Sequence, residues 1–460
     1  MPCGLPRRRT EWTFMEPPLF DDFFKNAPAG LDLDRIRHEW QALRPPYAVE
    51  DRHLPLPVWA RRGFTESGPE AWAILTRDVS EIEPSRAFAI YIHIPFCARR
   101  CNFCDCYSFK LQSHREEHIA DYVDLLEQEI RLWSGLGTLS QRPVSTVHFG
   151  GGTPTFLGPE AFRRVVESCR AHFNAGAQTE WALETTSSEL TADMVAMLDS
   201  LGFTRLHLGV QSLEDPVRAI INRQEPGRAV LDKLHAARQQ GWIVTVDMIF
   251  GLPGQTLSGY LDDLTTLAVA GIDGFSLYEL QASSRNTKWI ERHRLHQRPR
   301  ATNYFFAQAG GQWLATLGFR RTLFNHFAGV HDTNLYFTFP ERGEDLLALG
   351  TIADGVFGDY HYRHPTYADY CRGVSEHAPG LQGGLRHNAL ENRLQPLTTR
   401  LLAGHIPAAH LERDVPPALL DRWRAAALLT PASPSGDCAL TGNGSWFVGN
   451  MISQLIDASV

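Results

Sequence analysis

From residue 87 the chain alternates short, continuous apolar runs with longer stretches in which Leu, Ile, Val and Phe recur every three to four positions. The runs cover residues 87–96, 145–150, 181–185, 205–210, 243–250 and 274–280. Runs of that length bounded by turn residues read as buried strands, and the three-to-four spacing reads as amphipathic helix. The helical stretches fall at 116–133, 159–173, 193–201, 226–239 and 256–270. Strand–helix alternation builds a parallel sheet, because each helix carries the chain back to start the next strand in the same direction. The predicted fold is therefore α/β, a partial (β/α)6 TIM-type barrel rather than a closed barrel of eight units.

The flanks follow other patterns. Residues 1–86 have weak periodicity, a helix near 33–43 and breaks at Pro45-Pro46 and Leu54-Pro55-Leu56-Pro57, which predicts a segment that wraps the body. Residues 87–300 are the barrel. Residues 301–395 mix both periodicities with many aromatics and are expected to extend the barrel and cap a substrate. Residues 396–460 read as a small, mostly helical or winged-helix-like domain. No internal repeat beyond the alternation and no low-complexity tract is present.

Polar, chemistry-bearing residues close each apolar run. The first ends in cysteines, the second in Gly150-Gly151-Gly152-Thr153, the third at Glu184, the fourth at Gln211, the fifth near Asp247 and the sixth around Tyr278. In parallel α/β barrels the C-terminal strand ends line the active site, so these residues are expected to meet in one place.

Four of the eight cysteines lie within ten residues, Cys97, Cys101, Cys104 and Cys106. A disulfide framework spreads its cysteines through a small secreted domain, whereas a tight cluster in a long chain points to metal. The C-x3-C-x2-C spacing of Cys97, Cys101 and Cys104 suits three irons of a [4Fe–4S] cube. The fourth iron is then free to take the amino and carboxylate groups of S-adenosylmethionine (SAM). Such a cluster cleaves SAM reductively to a 5′-deoxyadenosyl radical. The competing reading is zinc, which takes four ligands in paired spacing. Cys106 stands too close to Cys104 to bridge two corners of one cube; it is placed beside the cluster, or it is a buried thiol. Phe103 can cover the cluster and stack near adenine, or it is plain core. Tyr91 and His93 alternate on one face of the first strand and end near the cluster.

The glycines after the second strand let backbone approach a ligand, and free N–H groups there can bind a carboxylate. Glu184 can pair with an ammonium or ribose hydroxyls, and Arg223 can meet the SAM carboxylate through two parallel hydrogen bonds. Gln211 and Asp247 hold corresponding positions on the fourth and fifth strands.

Net charge is −8 over 460 residues, and apart from Arg7 to Arg9 no basic run stands out. This weighs against a nucleic-acid partner. No apolar h-region follows Arg7–Arg9, and no run is long enough to span a bilayer, so no membrane partner and a cytoplasmic location are expected.

The ordered motifs YIHIPFC-x3-C-x-FC-x-C, FGGGTPT, LGVQS, NRQ, DMIFGLPGQT and LYEL run across residues 91–280. Together they resemble the oxygen-independent coproporphyrinogen III oxidase-like radical SAM proteins. The resemblance implies a [4Fe–4S] cluster on Cys97, Cys101 and Cys104 and two SAM molecules in one cavity. It implies SAM binding by Tyr91, Gly151, Gly152, Thr153, Glu184, Gln211, Arg223 and Asp247, with Phe103 beside them and Cys106 near the second SAM. Three branches compete: the porphyrinogen oxidase, haem-chaperone or haem-degrading relatives, and the class C methyltransferases with related cyclopropanases. The C-x-C ending departs from the haem chaperones. Asn325 stands where the oxidases have Asp, and segments 336–350, 360–364 and 445–451 look more like the methyltransferases. The expected reaction is therefore methylation of an sp2 carbon on a small-molecule or peptide-derived heteroaromatic substrate, with an electron donor such as flavodoxin or ferredoxin. The alternatives are oxidase-type decarboxylation, haem utilisation, or non-catalytic haem or cluster binding. Cys106, Tyr91, Tyr278 and His326 are the candidate catalytic residues, with Tyr362 and His364 as further proton-transfer groups.

Overall fold

Six parallel strands stand where the six apolar runs predict them: Phe88–Ile94, Val144–Gly151, Glu180–Thr185, Arg205–Gln211, Ile243–Phe250 and Gly274–Glu279. The computed structural model describes residues 17–111, 115–434 and 436–459. Arg7 to Arg9 and Cys3 lie outside the described residues. Each strand pairs in parallel with the next in sequence order. Most strand side chains on both faces are buried, as expected of strands covered by helices outside and side chains inside.

The intervening helices are Arg115–Ser134, Pro159–His172, Ala192–Ser200, Gly227–Gln239 and Leu257–Val269. Their ends follow local chemistry. Thr191 and Thr256 accept hydrogen bonds from the backbone N–H of Met194 and Gly259, satisfying donors that the first turn leaves open. Just beyond Leu257–Val269, Gly271 at φ +83° supplies the left-handed residue that ends the helix.

The barrel stays open because other strands occupy both edges. Asp345–Leu349 lies parallel to the first strand, with Leu346 opposite Ala89. His326–Ala328 lies antiparallel to the sixth, with Phe327 opposite Phe275. The sheet continues on one side through Asp354–Phe357, Tyr360–Arg363 and Gly383–Arg386 to Glu66–Ser67 and on the other to Arg320–Arg321, making 13 strands among the described residues. Residues 301–395 thus extend the same sheet, although their mixed pattern hides the short strands.

The leading segment packs by aromatic contact. Phe20, Phe24 and Trp40, on helices Pro17–Phe24 and Leu33–Gln41, surround Phe305 at ring-centroid distances of 5.3, 5.4 and 4.9 Å. Two asparagines of the C-terminal part tie it down. Asn443 Nδ2 donates to Glu39 O at 2.8 Å, and Asn450 Nδ2 donates to Asp51 O at 2.7 Å. The C-terminal helices, Ala389–Ala403, Ala408–Asp414, Pro417–Ala425, Gly442–Trp446 and Val448–Ser459, flank a two-stranded ribbon of His405–Pro407 and Asp437–Ala439.

A buried ionic network joins the barrel wall to the edge strand. Arg205 Nε donates to Glu180 Oε2 at 2.8 Å and its Nη1 to Asp332 Oδ1 at 2.7 Å; Asp332 also pairs with His326 at 2.7 Å. Replacing Arg205 with Met would leave two buried carboxylates without their cation. Arg205→Met is expected to cost ~3–5 kcal/mol, read as a lower denaturant midpoint in equilibrium unfolding.

Candidate active site

The cysteine loop is clamped at its base and along its length. Phe96–Cys97 pairs in parallel with Phe109–Lys110, and Phe109 N donates to Pro95 O at 2.9 Å. Asn102 Nδ2 donates to Ile220 O at 2.9 Å, Asn222 Nδ2 to Arg100 O at 2.8 Å, and Asn286 Nδ2 to Phe103 O at 3.0 Å. The three loop thiols, on Cys97, Cys101 and Cys104, are half-buried and line one cavity of about 1040 Å3. Among the described residues no three His, Cys, Asp or Glu side chains converge on a point that holds a single ion. Three thiols that face one cavity suit a cube, which takes a different iron at each.

The glycine turn opposite serves the loop more than the expectation allowed. Gly152 N donates to Ile94 O at 2.7 Å and Thr153 N to Phe96 O at 2.8 Å, so neither amide is free for a ligand carboxylate. A Cβ on Gly151, at φ +105°, would sit 2.5 Å from the His93 ring, and one on Gly152 would sit 2.6 Å from Phe96 O. The glycines therefore permit the close approach of two strand ends. Thr153 Oγ1 comes within 3.5 Å of Cys97 Sγ.

Unsatisfied groups aim into the cavity from the fourth strand. Gln211 adopts φ +64° at a register shift, which folds its side chain back over Gly209 beside Arg223. Gln211 Oε1 and Arg223 Nε are buried without a partner, an orphan acceptor and an orphan donor at one spot. Buried polar groups are almost always paired, so this pair fits the ammonium, carboxylate and hydroxyl groups of SAM. The Arg223 guanidinium also lies 5.9 Å from the Phe103 ring centre.

Deeper in, Glu184 Oε1 pairs with His148 Nε2 at 3.0 Å. Asp247 is pushed up to about 7 by burial and by the neighbouring Glu184 charge. His93 Nε2 bonds Tyr107 O at 3.2 Å and its Nδ1 meets Tyr91 Oη at 3.1 Å. Burial brings His93 down to about 4, so it is neutral at pH 7. A carbonyl only accepts, so Nε2 carries the proton and Tyr91 donates to Nδ1. Tyr91 is thus oriented before any ligand arrives.

A family model described as the radical SAM superfamily matches residues 91–267. The oxygen-independent coproporphyrinogen III oxidase of Escherichia coli K12 is 30% identical over 318 residues, 66% of this chain and 68% of that protein. The chain belongs to the radical SAM superfamily, among the oxygen-independent coproporphyrinogen III oxidase-like proteins. The anaerobilin synthase of Escherichia coli O157:H7 is 27% identical, with 62% of this chain and 64% of that protein covered. A haem chaperone of Bacillus subtilis is 30% identical over 45% of this chain and 55% of that protein. The solved E. coli coproporphyrinogen III oxidase superposes with a TM-score of 0.74 at 23% identity, covering 86% of this chain and 95% of that one. Membership implies a [4Fe–4S] cluster, SAM, a small-molecule substrate and a reductant. No helix among the described residues is long and apolar enough to cross a membrane.

In this radical SAM protein every candidate except His326, Tyr362 and His364 lines the thiol cavity: Tyr91, Cys97, Cys101, Phe103, Cys104, Cys106, Gly151, Gly152, Thr153, Glu184, Gln211, Arg223, Asp247 and Tyr278. His326 is buried in the Arg205 network, with Nδ1 2.9 Å from Ser276 Oγ and Nε2 on Asp332, and lines no cavity described here. Tyr362 and His364 are structural as well. Tyr362 Oη accepts from Ala348 N at 2.9 Å, and His364 Nε2 pairs with buried Glu129 at 2.6 Å. Both are fully buried, away from either cavity. Sequence reasoning passed over Tyr336, which stacks on His148 at 4.2 Å and on Tyr91 at 5.4 Å. The only signal was that its segment departs from the oxidase pattern.

A second cavity of about 880 Å3 adjoins the first and shares Leu54, Tyr278, Glu279, Gln281 and Phe337 with it. Tyr278 stands at the junction with 39% of its surface facing the open space. The second cavity is lined by Trp59, Phe64, Phe250, Phe324, Phe327, Phe339 and Trp446, with four arginines among them.

Two outcomes follow for the cluster and SAM. After anaerobic reconstitution, Cys97→Ser is expected to lose most of its iron and sulfide, whereas Cys106→Ser keeps the wild-type content; elemental analysis with visible absorbance reads both. Ionised Asp247 accepts from a hydroxyl more strongly than the neutral acid. SAM affinity is therefore expected to rise with pH through about 7 and then level off. Asp247→Asn is expected to flatten that slope in equilibrium dialysis.

Proposed function

We propose that this radical SAM enzyme transfers a methyl-derived carbon from a second SAM molecule to an sp2 carbon of a planar heteroaromatic substrate. The observation that carries this reading is the allocation of charge in the second cavity. Of its four lining arginines, Arg52 pairs with Glu279, Arg62 with Glu391 at 2.6 and 2.7 Å, and Arg363 with Asp354 at 2.5 and 2.9 Å. Coproporphyrinogen carries four propionates, and a carboxylate leaving water needs a cation or several donors in return. Three of the four cations are already neutralised by this chain's own carboxylates, and the remaining lining is largely apolar, with Trp59, Phe64, Phe250, Phe324, Phe327, Phe337, Phe339 and Trp446 in it. That lining suits a flat substrate with few charges.

When bound, the cluster supplies the electron that splits SAM and so generates the deoxyadenosyl radical. Cys97, Cys101 and Cys104 would hold the cluster, and Cys106, the exposed fourth cysteine of the loop, would be free to face a second SAM in the same cavity. Gln211 and Arg223 orient the SAM polar groups, and Tyr91, fixed by His93, closes the opposite wall. Tyr278 and Phe337 stand between the cofactor space and the aromatic space, so a substrate seated in the second cavity meets the first across their ring edges. Leu54 and Phe337 present apolar surface at that junction. An external one-electron carrier of the flavodoxin or ferredoxin kind supplies reducing equivalents.

A second reading is oxidase-type decarboxylation of a porphyrinogen. The names of the relatives favour it, since the 30% identical E. coli protein and the 0.74 TM-score neighbour are both coproporphyrinogen III oxidases. One experiment separates the two. The reconstituted enzyme is turned over with SAM deuterated on its methyl group, and the deoxyadenosine is weighed by mass spectrometry. Deuterium in that product is the expected result. Unlabelled deoxyadenosine formed in step with carbon dioxide from coproporphyrinogen would establish the second reading. Absence of deoxyadenosine under all conditions would point to a non-catalytic binding protein.

A further inference from the structure

Among the described residues Arg321 is the lining arginine of the second cavity with no carboxylate at ion-pair distance. It ends the short strand Arg320–Arg321, opposite Phe327, and its guanidinium carbon lies 4.9 Å from the Phe327 ring centre. Among the described residues it makes no ion pair within 4.0 Å and no side-chain hydrogen bond, while Arg52, Arg62 and Arg363 are each bound to a carboxylate. Glu39, whose charge favours the guanidinium from farther off, is bonded to Arg35 at 3.0 Å. Glu341, another carboxylate of the lining, is near Arg342 and Arg400. Burial brings Arg321 down to about 10, which still leaves it cationic at neutral pH.

Arg321 is half-buried and lines the cavity, so taking its guanidinium further out of water without a counter-charge is costly, and a ligand anion that completes the pair is favoured there. The planar fork of a guanidinium matches a carboxylate through two parallel hydrogen bonds. We propose that Arg321 anchors a single carboxylate on the substrate, so that the enzyme takes an aromatic or heteroaromatic monoacid. Phe324 and Phe327 flank the ring system of that acid, and its reactive edge points to Tyr278 at the junction. This assignment rests on the reading that the second cavity receives the substrate; it does not depend on which carbon–carbon step follows.

The test uses paired probes on the reconstituted full chain. Indole-2-carboxylate is compared with indole-2-carboxamide, and quinoline-2-carboxylate with quinoline-2-carboxamide, by isothermal titration calorimetry in the presence of SAM. The acids are expected to bind about ten-fold or more tighter than their amides, consistent with a charge-assisted pair. Arg321→Gln is expected to abolish that preference while amide affinity changes less than about two-fold, with cluster absorbance and substrate-free deoxyadenosine formation unchanged. Arg321→Lys, which keeps the charge but not the fork, is expected to retain part of the preference, and it decides the question if the Gln variant fails to load a cluster. Acid preference that survives in both variants, or no preference in either wild-type pair, overturns the assignment. An acid preference lost in Arg321→Gln together with unlabelled deoxyadenosine from deuterated SAM would keep the anchor and remove methyl transfer.

Discussion

Gly152 and Thr153 donate their N–H groups to Ile94 and Phe96, at 2.7 and 2.8 Å, and the placement of the cysteine loop depends on these two bonds. They continue the pairing of the first two strands past the point where the strands themselves end. The loop therefore leaves the sheet at a fixed height and angle. A side chain at Gly151 or Gly152 would force the strand ends apart, since its first carbon would overlap His93 or the Phe96 carbonyl. Asn102, Asn222 and Asn286 then hold the far side of the loop against the elements that follow the fourth and sixth strands. The backbone that carries the three loop thiols is thus fixed from both sides.

The molecule divides its polar chemistry between two neighbouring spaces. The thiol cavity keeps unsatisfied groups, Gln211 Oε1 and Arg223 Nε among them, for a ligand that completes them. The aromatic cavity mostly completes its own, with carboxylates on three of its arginines. Satisfied ion pairs rigidify a wall without attracting charge, whereas an unsatisfied cation selects for an anion. The two spaces are thus lined by different charged groups and meet at Tyr278 and Phe337.

The strands and helices of the barrel were legible to within two residues at most ends, because continuous apolar runs and three-to-four periodicity are strong signals when both faces of a sheet are covered. The convergence of Tyr91, Glu184, Gln211 and Asp247 was legible for a related reason: strand ends in a parallel barrel share one rim. Three features were not. His326 looked available for chemistry, and its removal into the Arg205 network depends on Asp332, a contact no local pattern announces. The glycine amides looked free, and their partners lie some 57 residues away in the chain. Tyr336 sits on a four-residue helix entered through Asn334 at φ +47°, too short for any periodicity.

The segment 445–451 shows how a motif can bear on function without touching a cofactor. Asn443 and Asn450 tie the last helices to the leading segment through Glu39 O and Asp51 O. Between those ties, Trp446 faces the aromatic cavity with the Arg52 guanidinium 4.0 Å above its ring, and Arg52 in turn holds Glu279 at the junction. The two flanks, far apart in sequence, therefore build one wall of the aromatic cavity, while the barrel between them builds most of the thiol cavity, and Leu54 and Glu279 are shared by both. One radical-generating scaffold can thus serve different substrates through its flanks, which is why membership of the family fixes the cofactor chemistry and leaves the reaction to be read from the second cavity.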